Sequence, residues 1–189
     1  MGSERTTRDR RLHPSRVEKS RTGANDLRLC DHRRVLNELQ MRVDVGASST
    51  ASATHSHGRS LVPYVDGVSL ISLVEAHEAD AEFDVVGGYG GIEPQSFNFG
   101  DLRLYYLGKQ TKQWPDPGKA WLLGCGCGEV GCWPLEASVD ATPDVVTWSS
   151  FRQPHRPDRD YTGFGSFCFN AEQYAAAIDA AVNSFETGE

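Results

Sequence analysis

No stretch of the chain approaches the roughly 20 consecutive apolar residues that a membrane-spanning helix needs. No apolar segment follows the charged start Met1–Arg10, so no secretory signal is visible, and Glu4, Asp9 and Glu18 argue against an organelle transit peptide. The expected location is therefore the cytoplasm. Phosphate-binding signatures are missing as well. The run Gly87-Gly88-Tyr89-Gly90-Gly91 reads as an irregular loop and invites a nucleotide-binding reading, but no G-K-[ST] follows it and G-x-G-x-x-G does not occur. Apolar residues are also modest, at 39%, which suits a chain with a segment outside its packed core.

Charge is distributed unevenly. Residues 1–34 hold ten Lys or Arg and five Asp or Glu, whereas the remainder holds nine and 21. A basic tail on an acidic body can signal nucleic-acid binding. Here the tail has no interleaved aromatics and no DNA-binding motif, and an acidic body repels a phosphate backbone. The expectation is a disordered basic tail over 1–34, a single domain over 35–189, no nucleic-acid partner and no membrane. An unidentified protein or small molecule is the expected partner.

Periodicity fills in the domain. Alternation over Val35–Val45 and the run Leu61–Val65 predict strands, and Asp66-Gly67 a turn. Leu70, Leu73, Val74 and His77 recur at helical spacing, which predicts a short helix over Val68–Glu78. Phe83–Val86 reads as a further strand. Leu102–Leu107 is apolar enough to be buried. Alternation over Trp133–Val139 and the β-branched and aromatic Val145–Phe151 predict two more strands. The clearest helix is the last. Asn170 is a good N-cap, Gln173 stands at the capping-box position, and Tyr174, Ile178, Ala181, Val182 and Phe185 form one apolar face, with Gly188 as terminator. The fold class is α+β: an antiparallel sheet, a C-terminal amphipathic helix packed on it, and a Cys-rich hairpin turn.

That turn carries the chemistry. Five cysteines in a chain without a signal peptide do not suggest a disulfide framework. Three of them, Cys125, Cys127 and Cys132, fall in the glycine-rich run Gly124–Pro134 with spacing C-x-C-x4-C. If Leu122–Cys127 is extended, Cys125 and Cys127 share a face. Gly128–Gly131 can then reverse the chain and bring Cys132 back to meet them. Zn²⁺ takes four Cys or His ligands in a tetrahedron. Three are local, and His155, in the Pro-flanked loop past Val145–Phe151, is the first choice for the fourth. Cys168 comes second, and Glu129 or a water third. The spacing is less specific than a doubled C-x2-C.

Two other uses of these residues stay open. A cysteine of the cluster could act as a redox or nucleophilic thiol, its pKa lowered by Arg152, His155, Arg156 or Arg159. The same arginines could grip an anion, although pairing with Asp158, Asp160 and the acidic body is the simpler reading. His55 and His57 could touch a metal but read as solvated. Whether the chain is an enzyme is left open by these residues.

From Leu61 to Phe185 the chain resembles an uncharacterised bacterial protein family of actinobacterial type. The resemblance lies in Leu61–Gly67, in Leu122–Cys125 through Cys132-Trp133-Pro134-Leu135, and in Val146-Thr147-Trp148 through Phe151–Arg156. Asp160-Tyr161, Phe167-Cys168-Phe169 and Gln173-Tyr174 belong to it too. It implies a domain that recurs as a unit and brings no activity or cofactor. Cys168 stands where an apolar residue is usual in that pattern, which favours His155 over it as a ligand.

Overall fold

A computed structural model describes residues 36–45, 58–110 and 114–188. The basic tail over 1–34, with Cys30, and the pair His55 and His57 lie outside the described residues. The chain builds two antiparallel sheets and a long C-terminal helix, the expected α+β class. No helix among the described residues is long and apolar enough to cross a membrane.

The first sheet joins β1 (Leu39–Val45), β2 (Arg59–Val65) and β3 (Val68–Ser69) in that order. Asp66 and Gly67 turn the chain between β2 and β3, both at positive φ. Helix α1 (Leu70–Asp80) follows at once. Ser69 caps it by accepting the Ser72 N–H at 3.1 Å. Leu70, Val74 and Glu78 are its buried residues.

The second sheet runs β4 (Tyr89–Gly90), β5 (Lys119–Cys125), β6 (Leu135–Ala141), β7 (Val145–Arg152) and β8 (Phe167–Asn170), every neighbour antiparallel. Two expectations need correction. Phe83–Val86 forms no strand: Val85 and Val86 are exposed and Asp84 interrupts the run. The glycine run, expected to be irregular, instead supplies the edge strand β4, with Tyr89 opposite Cys125 and Gly90 opposite Gly124. A Cβ on Gly90 would stand 3.1 Å from the Cys125 carbonyl oxygen, so any larger residue would push the two backbones apart by a few tenths of an ångström. Leu102–Tyr105 forms a one-turn helix, α2, capped by Asp101.

Helix α3 (Ala171–Thr187) buries Tyr174, Ile178, Ala181 and Val182, with Gly188 in the left-handed conformation at its end. Tyr174 Oη donates to the Tyr106 carbonyl at 2.5 Å and accepts from Trp148 Nε1 at 3.0 Å, so the helix locks onto the centre of β7. Asn170 caps it through the Gln173 N–H at 2.9 Å. Gln173 does not close a capping box. Its side chain crosses to β1, donating to the Leu39 carbonyl at 2.6 Å and accepting the Leu39 N–H at 3.2 Å. The core lies between α3 and the two sheets. Trp148, Phe169, Leu122, Leu123, Leu135 and Leu61 are among its fully buried members.

Candidate metal centre

β5 and β6 are adjacent antiparallel strands, and the eight-residue cysteine run forms the turn between them. Gly128 holds the turn at φ +90°, a conformation that L side chains seldom adopt, and its N–H donates to the Cys125 carbonyl at 3.0 Å. Cys132 N–H closes the far side on the Glu129 carbonyl at 3.2 Å. On the sheet side, Gly126 N–H donates to the Gly88 carbonyl at 2.8 Å. Glycine amides and carbonyls of the 87–91 run are thus spent on the turn and on Glu78, not on a phosphate.

This scaffold draws the sulfurs of Cys125, Cys127 and Cys132 to within 4.8 Å of one another. All three are free thiols; Cys127 and Cys132 are exposed and Cys125 half-buried. Cys127 and Cys132 are closest, at 3.3 Å. The Cys127 N–H donates to Cys125 Sγ at 3.4 Å. The neighbouring Cys125 sulfur and the backbone at Glu129 hold the Cys127 thiol below its ordinary range. The same Cys125 sulfur, with burial, pushes Cys132 up to about 12. A tetrahedral site with Zn–S bonds near 2.3 Å places sulfurs about 3.8 Å apart. The donor set fits such an ion once Cys127 and Cys132 spread by about half an ångström.

The remaining ligand candidates stand as follows. His155 comes to the same turn, because β7 pairs with β6 and delivers its following loop beside the cysteines. Its Nε2 lies 2.7 Å from the Gly131 carbonyl. A carbonyl only accepts, so Nε2 carries the proton and Nδ1 keeps the lone pair in the neutral ring. The ring is not among the side chains that converge within 4.8 Å. Glu129 Oε1 instead accepts the Gly131 N–H at 3.4 Å. Cys168 is buried on β8 and disulfide-bonded, so its sulfur is not a ligand. The chain is to that extent not wholly reduced.

The residues the sequence did not reveal lie just behind the turn. Glu78 is fully buried. Its Oε1 accepts from Tyr161 Oη at 2.6 Å, Tyr89 Oη at 2.7 Å and Arg159 Nη1 at 3.2 Å, and its Oε2 accepts the Gly87 N–H at 2.8 Å. Arg159 continues to Asp84 and to the Val85 carbonyl. The guanidiniums of Arg156 and Arg159 both lie over the Trp133 ring, at 4.7 and 5.3 Å. Cation–π contact thereby ties the 153–161 loop to the residue after Cys132. Arg152 pairs with Glu136 at 2.6 Å. Arg152 and Arg159 therefore follow the simpler expectation, pairing with the body's own acids. One signal for Glu78 was present: it continues the i, i+4 stripe of Leu70 and Val74.

The chain matches no protein-family model, no curated protein and no solved structure. Function therefore rests on the site's own geometry.

Proposed function

We propose that this is a binding or accessory domain whose β5–β6 turn is pinned by a zinc ion on Cys125, Cys127 and Cys132. The carrying observation is the convergence of three free thiols within 4.8 Å on a turn whose backbone is already closed by its own hydrogen bonds. Zinc supplies cross-linking without redox chemistry, and its bond energy becomes folding energy. His155 is the proposed fourth ligand through Nδ1. Donation of the opposite N–H to a backbone carbonyl is the usual support of a ligating histidine, and the contact with Gly131 provides it. A cytoplasmic location belongs to the same reading: the three clustered thiols are free, which suits a reducing compartment, although the disulfide at Cys168 does not add to that argument. Elemental analysis of reduced, untagged protein tests it. The expected result is near-stoichiometric zinc, abolished in Cys127→Ser and reduced in His155→Ala. Reduced protein purified without near-stoichiometric metal would sink the reading.

A second reading is favoured by one distance. Cys127 and Cys132, 3.3 Å apart and exposed, are placed for dithiol–disulfide exchange. It requires one cysteine that alkylates rapidly at neutral pH in folded, metal-free protein. Uniformly slow alkylation of the three thiols excludes it.

A further inference from the structure

The cysteine turn gathers three ligands and no fourth. The sulfurs of Cys125, Cys127 and Cys132 lie within 4.8 Å of one another, and no histidine, carboxylate or further cysteine among the described residues joins that circle. His155 stays outside it, with Nε2 on the Gly131 carbonyl at 2.7 Å. Glu129 Oε1 accepts the Gly131 N–H at 3.4 Å, and Cys168 is in a disulfide. The three thiols are in place before any ion arrives. Gly128 N–H on the Cys125 carbonyl, Cys132 N–H on the Glu129 carbonyl and Gly126 N–H on the Gly88 carbonyl close the turn from both sides. An ion that needs only three sulfurs therefore does not have to organise the chain. Cys127 and Cys132 are exposed, so it reaches them without opening the fold.

Distance and charge narrow the class of ion. Cys127 and Cys132 stand 3.3 Å apart. A tetrahedral ion with bonds of about 2.3 Å holds sulfurs about 3.8 Å apart. An ion with a lone pair bonds on one side only, and its three bonds are pressed toward right angles. Bonds of the same length at right angles span about 3.3 Å, so this pair needs no spreading. Thiolates select soft ions. Trivalent arsenic and antimony are soft, carry that lone pair and are saturated by three sulfurs. Residues 35–189 hold 21 acidic and nine basic side chains, a field that repels oxyanions and leaves a neutral hydroxide unaffected. Arsenite at neutral pH is such a hydroxide.

We propose that Cys125, Cys127 and Cys132 form a three-thiol site for trivalent arsenic or antimony, taken up as the neutral hydroxide. Each S–H gives its proton to one hydroxide. Three bonds from the ion to sulfur replace three to oxygen, three waters leave, and no electron changes hands. The inference rests on the same converging thiols as the zinc reading but needs neither zinc nor His155, since only the tetrahedral ion requires a fourth ligand.

Arsenite titrated into the full, untagged chain tests it, with the protein stripped of metal and kept anaerobic without added reductant. Mass spectrometry should show one arsenic gained and three protons lost per chain, and the three thiols of the turn should become unreactive to alkylation together. Cys125→Ser, Cys127→Ser and Cys132→Ser should each weaken binding by about a hundredfold or more, because a direct ligand outweighs the outer partners of a metal site, whose loss costs about 10–100-fold. His155→Ala should bind as the parent chain does. The parent chain unfolded in urea has the same thiols but no turn, and should bind at least about tenfold more weakly, the contribution of preorganisation. No adduct at micromolar arsenite, protection of only two thiols, a loss in His155→Ala as large as in the cysteine variants, or equal affinity of folded and unfolded chain would overturn the proposal. Zinc content measured before stripping keeps the two readings apart. Zinc without an arsenic adduct removes this proposal alone, and an arsenic adduct on protein purified without zinc removes only the zinc.

Discussion

Glu78 continues the apolar stripe of α1 one turn beyond Val74, and the chain spends four hydrogen-bond donors on its carboxylate. Removing the charge leaves the buried Arg159 with its one buried counter-charge gone and only the exposed Asp84 still paired to it among the described residues. Glu78→Gln should therefore lower unfolding free energy by about 3–5 kcal/mol, read from urea denaturation. Its phenolic partners set an alkaline limit. Burial first, and then the Glu78 hydrogen bond, push Tyr161 up to about 12. A raised folded value means that its contribution is complete below the unfolded value of about 10 and is lost as pH climbs from about 10 to about 12. Stability measured across that range should fall, with phenolate absorbance appearing later than in unfolded chain. At this scale the sequence is unevenly readable. Three cysteines within eight residues announce themselves because their geometry is local. Glu78 shows only its place in the α1 stripe, because Tyr89, Arg159 and Tyr161, which make its burial tolerable, are 11, 81 and 83 residues away.

Elements show the same division between local and distant causes. Helix α3 and the strand β6 are legible because their apolar periods, 3.6 and 2, run to a capping or turn residue, and β7 because it is rich in β-branched and aromatic residues, although a bulge shifts its alternation between Trp148 and Phe151. β4 is not legible. Two residues of a glycine run become a strand because Gly90 lets β5 approach, which the run itself cannot announce. Gln173 is the sharpest case: it stands where a capping box is expected, yet it serves the backbone of β1. Gln173→Ala should leave a part-buried amide and carbonyl at Leu39 without partners. A loss of about 1–3 kcal/mol is expected in thermal or chemical unfolding. Asn170→Ala, which removes only the cap, should cost about 1 kcal/mol.

For the whole molecule, position decides what the proposed ion can stabilise. The cysteine turn sits at one end of the five-stranded sheet, whereas Trp148, Phe169 and Tyr174 fill the contact between that sheet and α3. Chelation should accordingly open a region and leave the rest folded. In hydrogen exchange with chelator, amides of 124–134 and 153–161 should lose protection while β6, β7 and α3 keep theirs. Global collapse on chelation would mean that the ion holds more than the turn. Strand order and the docking of β1 against α3 could not be read from the chain, since neither has a signature within any short window.

The crossing from Gln173 to Leu39 also bears on the order of events during synthesis. The edge of β1 is completed by residues that follow it by 134 positions, and Asn37 N–H donates to the Cys168 carbonyl as well, at 2.7 Å. A ribosome that has reached residue 160 has therefore made nearly every strand yet holds a first sheet with an unsealed margin and an uncovered apolar face. Such a nascent chain is a substrate for proteases and chaperones until the last helix emerges and closes the molecule behind it.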